Sequence, residues 1–572
     1  MDLNSYHIFL FPFQWYFTGK EMKNKTLEER TCLPELIKLF DASEWERKPY
    51  KTDTVLNYNE YNYFYGMTRQ ALFDEEKGRK GKLMTNLFYK IPPNTYTYNF
   101  KTCTDSTKNT FKEYSLEIDS IILHLYSVGV GILSFHLNNR LQDQNSPEDI
   151  LRINQVGRRL YPPFFGIDSK VVGKQAQYDV IDFSLGLDIT MKNELGKDFK
   201  VITVEGTESF ETYRHATGFS TNPFQLPNHL KYLFKGIPLT VDEADYNSTD
   251  QKVFLSPLLD DRMFVMCWYG NTTLSNKLST NPKEFKDNGG KSEVYRDDDW
   301  WYKFMFNDQN SATCQNQELK RRLIQKHTYT RWSDYGTLYG INRYSFVCLT
   351  SDLESLRNNN AHFILNHVQT MYYKLCELCL VQRACILRFS DEVSGISPMN
   401  DNKRISLSER VSSLYKQYLQ FVNRIYFREV TAQEQGIELY NMLQKHMQIE
   451  RNVKDLDAEI EELHSYVTMI EQQKQSRNIE LLTVIGALFI LPTFLISYIG
   501  IIILPNLTDK QAALNHHAWL ILLPLLLGPL IYIFIAKKRN KKRDLRLLLF
   551  LYGIVIFTFI LAQLYATYFV KN

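Results

Sequence analysis

The sequence carries almost no net charge for its length. Its 572 residues include 67 Lys and Arg against 64 Asp and Glu, which gives a formal charge of +3 at pH 7. A nucleic-acid-binding domain is normally strongly basic, so we expect no direct binding of DNA or RNA. The chain is also too long for one hydrophobic core, and we expect at least two parts.

The cysteine pattern lacks both a disulfide framework and a zinc site. Eight cysteines are scattered along the chain, as is typical of a reduced intracellular domain. Cys376 and Cys379 form a C-x-x-C pair, but no second ligand pair follows at the spacing of a zinc site. They lie in an apolar, helix-like run, so we interpret them as buried thiols and expect no bound metal.

Catalytic signatures are also missing. The twelve histidines lie in no recognisable motif, and the GVG at 129–131 lacks the third glycine of a dinucleotide fingerprint. The stretch YRDDDWWYKFMF (295–306) has three adjacent carboxylates, which a strand would point to opposite faces. We therefore expect loop and strand packing there, no catalytic residues and no covalent cofactor. The protein is predicted not to be an enzyme.

The amino terminus, MDLNSYHIFLFPFQWYF, lacks the basic region and cleavage site of a signal peptide. Its apolar run is broken by Pro12 and Gln14. The pattern favours a β-strand that opens a cytoplasmic domain.

Three long apolar stretches are present after residue 478. They cover 479–504, 518–536 and 545–570, and each is near or above the roughly 20 residues of a transmembrane helix. The basic loop at 537–544 is predicted to be cytoplasmic and the nearly uncharged loop at 505–517 external. The sequence thus predicts a multi-pass protein of a bacterial inner membrane, with the large amino-terminal part in the cytoplasm.

A helical region with a coiled-coil stalk is predicted over 351–478. Apolar residues alternate at spacings of four and three: Ile449, Val453, Leu456, Ile460, Leu463, Val467 and Ile470. No proline or glycine interrupts 438–485, so a continuous helix into 479–504 is expected. Its partner is either a helix of the same chain, with 406–427 as an antiparallel candidate, or the same helix in other subunits.

The order Leu482-Thr483, Pro492, Thr493-Phe494 and Gly500 resembles the pore helix of the CorA family of divalent-cation channels. The resemblance implies a homo-oligomer, a pentamer in that family, with a divalent cation as permeant ion. The implied pore-lining positions are Ile479, Leu482, Ile490, Thr493, Gly500, Ile501 and Ile502.

The sequence departs from the family at the end of this helix. Ile499, Ile501 and Ile502 stand where the family has Tyr, Met and Asn, and isoleucine offers no side-chain acceptor for a hydrated cation. Asn506 and Asp509 are the nearest polar residues at the expected external mouth. YGIN at 339–342 resembles the missing signature, but it lies in a polar stretch and is interpreted as coincidence.

The part at 1–350 is predicted to be an α/β ligand-sensing domain. A hairpin pattern precedes a short helix that begins after Ser146 and ends at Gly157. Arg158, Arg159 and Tyr161 follow in a turn expected to be exposed, where paired guanidinium groups and an aromatic ring suit a nucleotide. The alternative is a surface loop whose arginines pair with nearby acids.

The runs GVGILSFHLNN and INQVGRRLYPP resemble the amino-terminal domain of CorA-like effectors associated with type III CRISPR systems. The resemblance implies sensing of a nucleotide second messenger, such as a conjugate of S-adenosylmethionine with AMP, and a channel that leaks ions in antiviral defence. The alternatives are a constitutive divalent-cation transporter and a membrane-anchored sensor or scaffold without a pore. The expected fold class is an α+β cytoplasmic domain, a long coiled-coil stalk helix and an α-helical transmembrane domain with three spans.

Overall fold

The computed structural model describes most of the chain up to residue 502. The described residues are 3–75, 82–90, 96–103, 111–160, 165–167, 178–180, 188–192, 198–200, 228–242, 249–260, 262–279, 294–308, 312–396 and 407–502. The chain forms two compact units, Met1–His464 and Ser465–Asn572, and each is considered by itself.

Within the described residues, the strands belong to a large mixed sheet and a small hairpin. They are β1 (Ser5–Thr18), β2 (Trp45–Arg47), β3 (Met84–Tyr89), β4 (Tyr96–Cys103), β5 (Phe111–Tyr126), β6 (Val130–Asn139), β7 (Phe165–Ile167), β8 (Tyr178–Val180), β9 (Asp188–Lys192), β10 (Asp198–Lys200), β11 (Leu239–Thr240), β12 (Lys252–Pro257), β13 (Phe264–Gly270), β14 (Thr328–Tyr329), β15 (Leu338–Ile341) and β16 (Ser345–Thr350). The main sheet has the order β10-β9-β4-β5-β6-β1-β13-β16-β15-β14, with β12 and β11 beside β1, and β3 and β2 beside β5.

The helices concentrate in the second half of the chain, as the sequence predicts for 351–478. They are α1 (Leu27–Arg30), α2 (Leu33–Phe40), α3 (Val55–Tyr63), α4 (Gly66–Leu72), α5 (Pro147–Gly157), α6 (Asn228–Leu233), α7 (Thr272–Leu278), α8 (Asp299–Phe306), α9 (Gln317–His327), α10 (Leu353–Asn358), α11 (Phe363–Gln369), α12 (Met371–Ile396), α13 (Leu407–Arg424), α14 (Glu434–Met447) and α15 (Ile449–Ile502).

The amino-terminal strand predicted from the sequence is confirmed, and it lies at the centre of the sheet. One edge of β1 pairs with β6 along ten residues. The other edge changes partner, from β13 at Ser5–Leu10 to β12 at Phe13–Thr18. Pro12 lies at this change, where its carbonyl accepts a hydrogen bond from the Leu258 N–H (3.2 Å). Proline has no N–H to donate, and the gap between the two partner strands tolerates that loss.

The predicted hairpin around the GVG sequence is also confirmed, as β5 and β6. Gly129 adopts φ +72° in the turn, and a Cβ there would lie 2.7 Å from Thr31 Cγ2 and 2.9 Å from Arg388 Cζ. Both the backbone conformation and the close packing therefore require glycine.

Helix α12 is almost fully buried between the sheet and the other helices. It packs on β1 and β6, and on α13 and α14. Cys376 and Cys379 are buried in it, and burial raises the pKa of both thiols. The prediction of buried thiols is thus confirmed.

The stretch 295–306 forms a helix, so the prediction of a strand is wrong. Asp298 caps α8 by accepting from the Trp301 N–H (2.9 Å). Asp297 pairs with Arg321 (2.7 Å), and Asp299 pairs with Lys320. The three carboxylates thus have separate structural partners. The capping role of Asp298 explains why an aspartate stands directly before the helix.

The predicted continuous helix over 438–485 is interrupted. Gln448 adopts the left-handed conformation (φ 57°) between α14 and α15. No glycine or proline marks this break, although a non-glycine residue with positive φ is uncommon. The Gln448 N–H closes the end of α14 on the Gln444 and Lys445 carbonyls.

The first turns of α15 pack against α13 of the same chain. The Tyr418 hydroxyl donates to Asp457 (3.0 Å), and the rings of Tyr415 and His464 stack 4.8 Å apart. These contacts run in antiparallel order, as expected for 406–427. The first four seam residues are buried: Ile449, Val453, Leu456 and Ile460.

The expectation of an α-helical transmembrane domain is contradicted. Among the described residues, no helix is long and apolar enough to cross a membrane. Over 449–483, where its side chains are described, about half of the residues of α15 are charged or carry an amide, and most of these are exposed. The inner-membrane location and a channel of membrane-spanning helices are contradicted by the same finding. The predicted spans at 518–536 and 545–570, and the loops at 505–517 and 537–544, lie outside the described residues.

Candidate ligand site

Helix α5 places the paired arginines that the sequence singles out. It begins as predicted, because the Ser146 hydroxyl accepts from the Asp149 N–H (3.1 Å) and Pro147 occupies the first turn. It ends at Gly157, where a Cβ would lie 3.1 Å from the Phe9 ring. Glycine therefore lets the end of the helix approach the sheet closely.

Arg158 is not in an exposed turn. It is 4% exposed, its Nη2 donates to Gln155 Oε1 (3.0 Å), and its carbonyl accepts from the Met263 N–H (2.8 Å). Arg159 is half-buried and forms an antiparallel bridge with Arg262. The end of α5 is thus attached to the residues that lead into β13, while Tyr161 lies outside the described residues.

Arg262 extends this region toward an exposed tyrosine. Its guanidinium pairs with Asp260 (2.6 Å) and lies 5.6 Å from the ring centre of Tyr344. Tyr344 is 36% exposed, so one aromatic ring is open to solvent beside a guanidinium group.

The turn that carries Tyr344 is held rigidly between β15 and β16. Asn342 Oδ1 accepts from the N–H groups of Tyr344 (2.6 Å) and Ser345 (2.9 Å). Its Nδ2 donates to the Met305 carbonyl (2.5 Å). The YGIN sequence ends on this buried asparagine, so its role is to shape the turn that presents Arg343 and Tyr344.

A further guanidinium comes from the central helix. Arg383 of α12 lies 5.3 Å from the ring centre of Tyr344 and donates to the Arg343 carbonyl (2.9 Å). Burial lowers its pKa, Arg343 lowers it further, and Tyr344 and Asp260 raise it. The side chain nevertheless stays charged at neutral pH, because arginine begins from a very high pKa.

We define Arg158, Arg159, Arg262, Arg343 and Arg383, with Tyr344, as the arginine cluster. The guanidinium groups of Arg262 and Arg383 lie over the Tyr344 ring, and Arg158 and Arg159 adjoin them through backbone contacts. Guanidinium groups present planar pairs of donors that match phosphate and carboxylate oxygens. Besides burial, repulsion from Arg343 lowers the pKa of Arg383, and Asp260, which also pairs with Arg262, offsets it in part; a bound anion would act in the same direction as Asp260. The solvent-exposed part of the Tyr344 ring offers an apolar surface for a nucleobase.

Sequence reasoning identified two members of the cluster and missed the others. Arg262, Arg343, Tyr344 and Arg383 lie far away in the chain and are brought together by strand pairing and by α12. The only local signal was the Arg-Tyr pair after a turn-forming asparagine at 342.

The predicted pore positions belong to the other unit, Ser465–Asn572. Ile479 and Leu482 are exposed on α15, at 63% and 66%. The other five are on the same helix, beyond the part whose side chains are described: Ile490, Thr493, Gly500, Ile501 and Ile502. Asn506 and Asp509 lie outside the described residues.

Comparisons with known proteins do not identify the chain: no family model, no curated protein and no solved structure matches it. The resemblance to CorA-like proteins is therefore neither supported nor opposed by them.

Proposed function

We propose that the unit Met1–His464 is a sensor that binds a nucleotide at the arginine cluster. The observation that carries the proposal is the exposed ring of Tyr344, over which the guanidinium groups of Arg262 and Arg383 lie. Arg158 and Arg159 adjoin it at the end of α5. An anion with a planar base matches both the charge and the ring.

Each part of the ligand has a role in this binding mode. The phosphate accepts hydrogen bonds from half-buried guanidinium groups, where partial exclusion of water strengthens the attraction. The base packs against the solvent-exposed part of the Tyr344 ring. The resemblance to type III CRISPR effectors indicates the ligand class, a nucleotide second messenger such as a conjugate of S-adenosylmethionine with AMP.

Helix α12 connects the ligand to the rest of the unit. It carries Arg383 and packs on α13 and α14, and α14 precedes α15. A ligand can shift the unit between two arrangements of these helices only if it binds one arrangement more tightly than the other. We propose a homo-oligomeric effector of antiviral defence in which α15 carries the output. Ion leakage would need membrane-spanning helices and is not part of the proposal.

The test is calorimetric titration of the full chain with AMP, ATP and the S-adenosylmethionine–AMP conjugate. The double variant Arg159→Ala/Arg262→Ala should lose at least about tenfold in affinity, because charge-assisted hydrogen bonds contribute roughly 1.5–3 kcal/mol each. Raising the salt concentration should weaken binding by the wild type.

Arg322→Ala is the matched control, since Arg322 is 73% exposed on α9 and forms only a surface pair with Glu318. It should bind as the wild type does. Wild-type affinity in the double variant would exclude this site, and no binding of any of the three nucleotides would refute the function. Sedimentation of the full chain with and without ligand measures the proposed assembly.

A further inference from the structure

A cavity lies at the end of the β15–β16 hairpin that is opposite Tyr344. Its volume is about 570 Å³, within the range of about 300–1,000 Å³ for small-molecule sites. Six of its thirteen described lining residues carry aromatic rings. We name it the aromatic pocket, and its rings belong to Trp332, Tyr335, Tyr339, Phe363, His367 and Tyr372.

The aromatic pocket is separate from the arginine cluster. Ser351 lines the pocket, whereas Tyr344 lies at the opposite end of β16. The two positions are seven residues apart, which corresponds to about 23 Å of extended strand. A molecule of nucleotide size in one site therefore leaves the other open.

The rings at the floor of the pocket are buried, and those at its mouth are exposed. Tyr339 and Tyr372 are buried, and their rings meet edge to face at 5.9 Å. Trp332, Tyr335 and Phe363 are exposed at 38%, 81% and 49%. Exposed rings above a buried aromatic floor form a slot that suits a flat molecule.

The lining specifies an uncharged ligand. None of the described lining residues is Asp, Glu, Lys or Arg. Burial lowers the pKa of His367, so this side chain is neutral at physiological pH. Thr337, Ser351, Asn359 and Gln435 supply hydrogen-bonding groups. A phosphate would lose its hydration without gaining a cation.

We propose that the aromatic pocket binds an uncharged, planar heteroaromatic molecule about the size of a nucleoside. The aromatic rings stack on the faces of this molecule, and the amide and hydroxyl groups form hydrogen bonds with its polar edge. This site is independent of the anion site of the arginine cluster.

The pocket also connects the sheet to α14. Gln435, in the first turn of that helix, lines it. One turn later, Glu438 accepts from the Tyr329 hydroxyl and from Arg331 Nη1 (2.8 Å). A molecule that touches Gln435 and the hairpin at once stabilises α14 in its docked position, just before the break at Gln448.

The test uses adenosine, uridine and indole as uncharged probes of the full chain, at millimolar concentration, by calorimetry. At least one should bind. Hydrogen exchange of the amides of α14 should then slow. Tyr335→Ala should weaken binding at least about fivefold, as for loss of one stacking ring. Ala361→Phe, which fills the pocket, should abolish it.

Tyr58→Ala is the matched control, because Tyr58 is also exposed (58%) and lies outside the pocket. Tyr58→Ala should bind the uncharged probes as the wild type does. Arg159→Ala/Arg262→Ala should also bind them unchanged, and this result would show that the aromatic pocket is independent of the nucleotide site. No binding of any probe would overturn the proposal. Unchanged binding in both Tyr335→Ala and Ala361→Phe would also overturn it.

Discussion

Replacing Lys374 with Met should test the buried ion pair on α12. Lys374 Nζ lies 2.8 Å from Glu377 Oε2, and the two side chains are 7% and 0% exposed. The Tyr126 hydroxyl donates to Glu377 Oε1 (3.0 Å), and His124 Nδ1 lies 3.1 Å from the same oxygen. Removing one partner of a buried pair costs about 3–5 kcal/mol, because the remaining charge has no counter-ion. We expect the free energy of unfolding at pH 8 to fall by that amount.

The loss should depend on pH in a definite direction. Burial raises the pKa of Glu377 above its ordinary value of 4.5, and Lys374 opposes the rise. Without Lys374 the pKa rises further. A carboxyl group whose pKa is raised by folding destabilises the folded state, and this destabilisation is complete at pH values above the raised pKa. It becomes smaller as the pH falls from the raised pKa toward 4.5. Urea unfolding followed by circular dichroism should therefore show a smaller deficit at pH 5 than at pH 8.

Two further variants complete the measurement. Glu377→Gln added to Lys374→Met removes the uncompensated charge and should restore most of the stability. Lys38→Met breaks a pair of the same spacing whose side chains are 67% and 56% exposed, and it should leave the unfolding midpoint unchanged. An equal deficit at both pH values, or a double variant no more stable than Lys374→Met, would refute this reasoning.

Three other predictions concern stability. Burial lowers the pKa of His7 to about 4, so stability is lost as the pH falls from 6.5 to 4. His7→Gln should reduce that loss by at most about 3 kcal/mol in urea titrations across this interval. Gly129→Ala should lower the free energy of unfolding by about 2–4 kcal/mol. Gly66→Ala, in α4 with open space around it, should raise it by up to about 1 kcal/mol. Equal thermal unfolding midpoints for the two variants would contradict this. Leu456→Ala should cost about 2–5 kcal/mol, and exposed Met469→Ala should leave the urea midpoint unchanged.

Local patterns in the sequence predicted the elements whose signals are local. Alternation and turn residues marked β1 and the β5–β6 hairpin, and helical periodicity marked the region after 351. The helix at Asp299–Phe306 was missed because its many aromatic residues also favour strands. Its N-cap, Asp298, was the available helix signal. The break at Gln448 could not be predicted in this way, because no glycine or proline marks it in the sequence.

The order of strands and most of the site depend on contacts between distant residues. Arg159 and Arg262 meet through an antiparallel bridge, and Tyr344 is brought beside them because β16 lies parallel to β13. No spacing along the chain encodes these neighbours. The transmembrane expectation rested on the apolar composition of 479–504, 518–536 and 545–570 alone. The described helices do not meet the requirements for a span.

The position of Pro12 restricts how β1 can align with its neighbours. If β1 slid by two residues, its missing donor would move from the gap between β12 and β13 to a place opposite a strand acceptor. That acceptor would be buried without a hydrogen bond. One imino acid thus distinguishes the native alignment from its nearest slipped competitors. It does so on the strand where slippage would misplace both halves of the sheet.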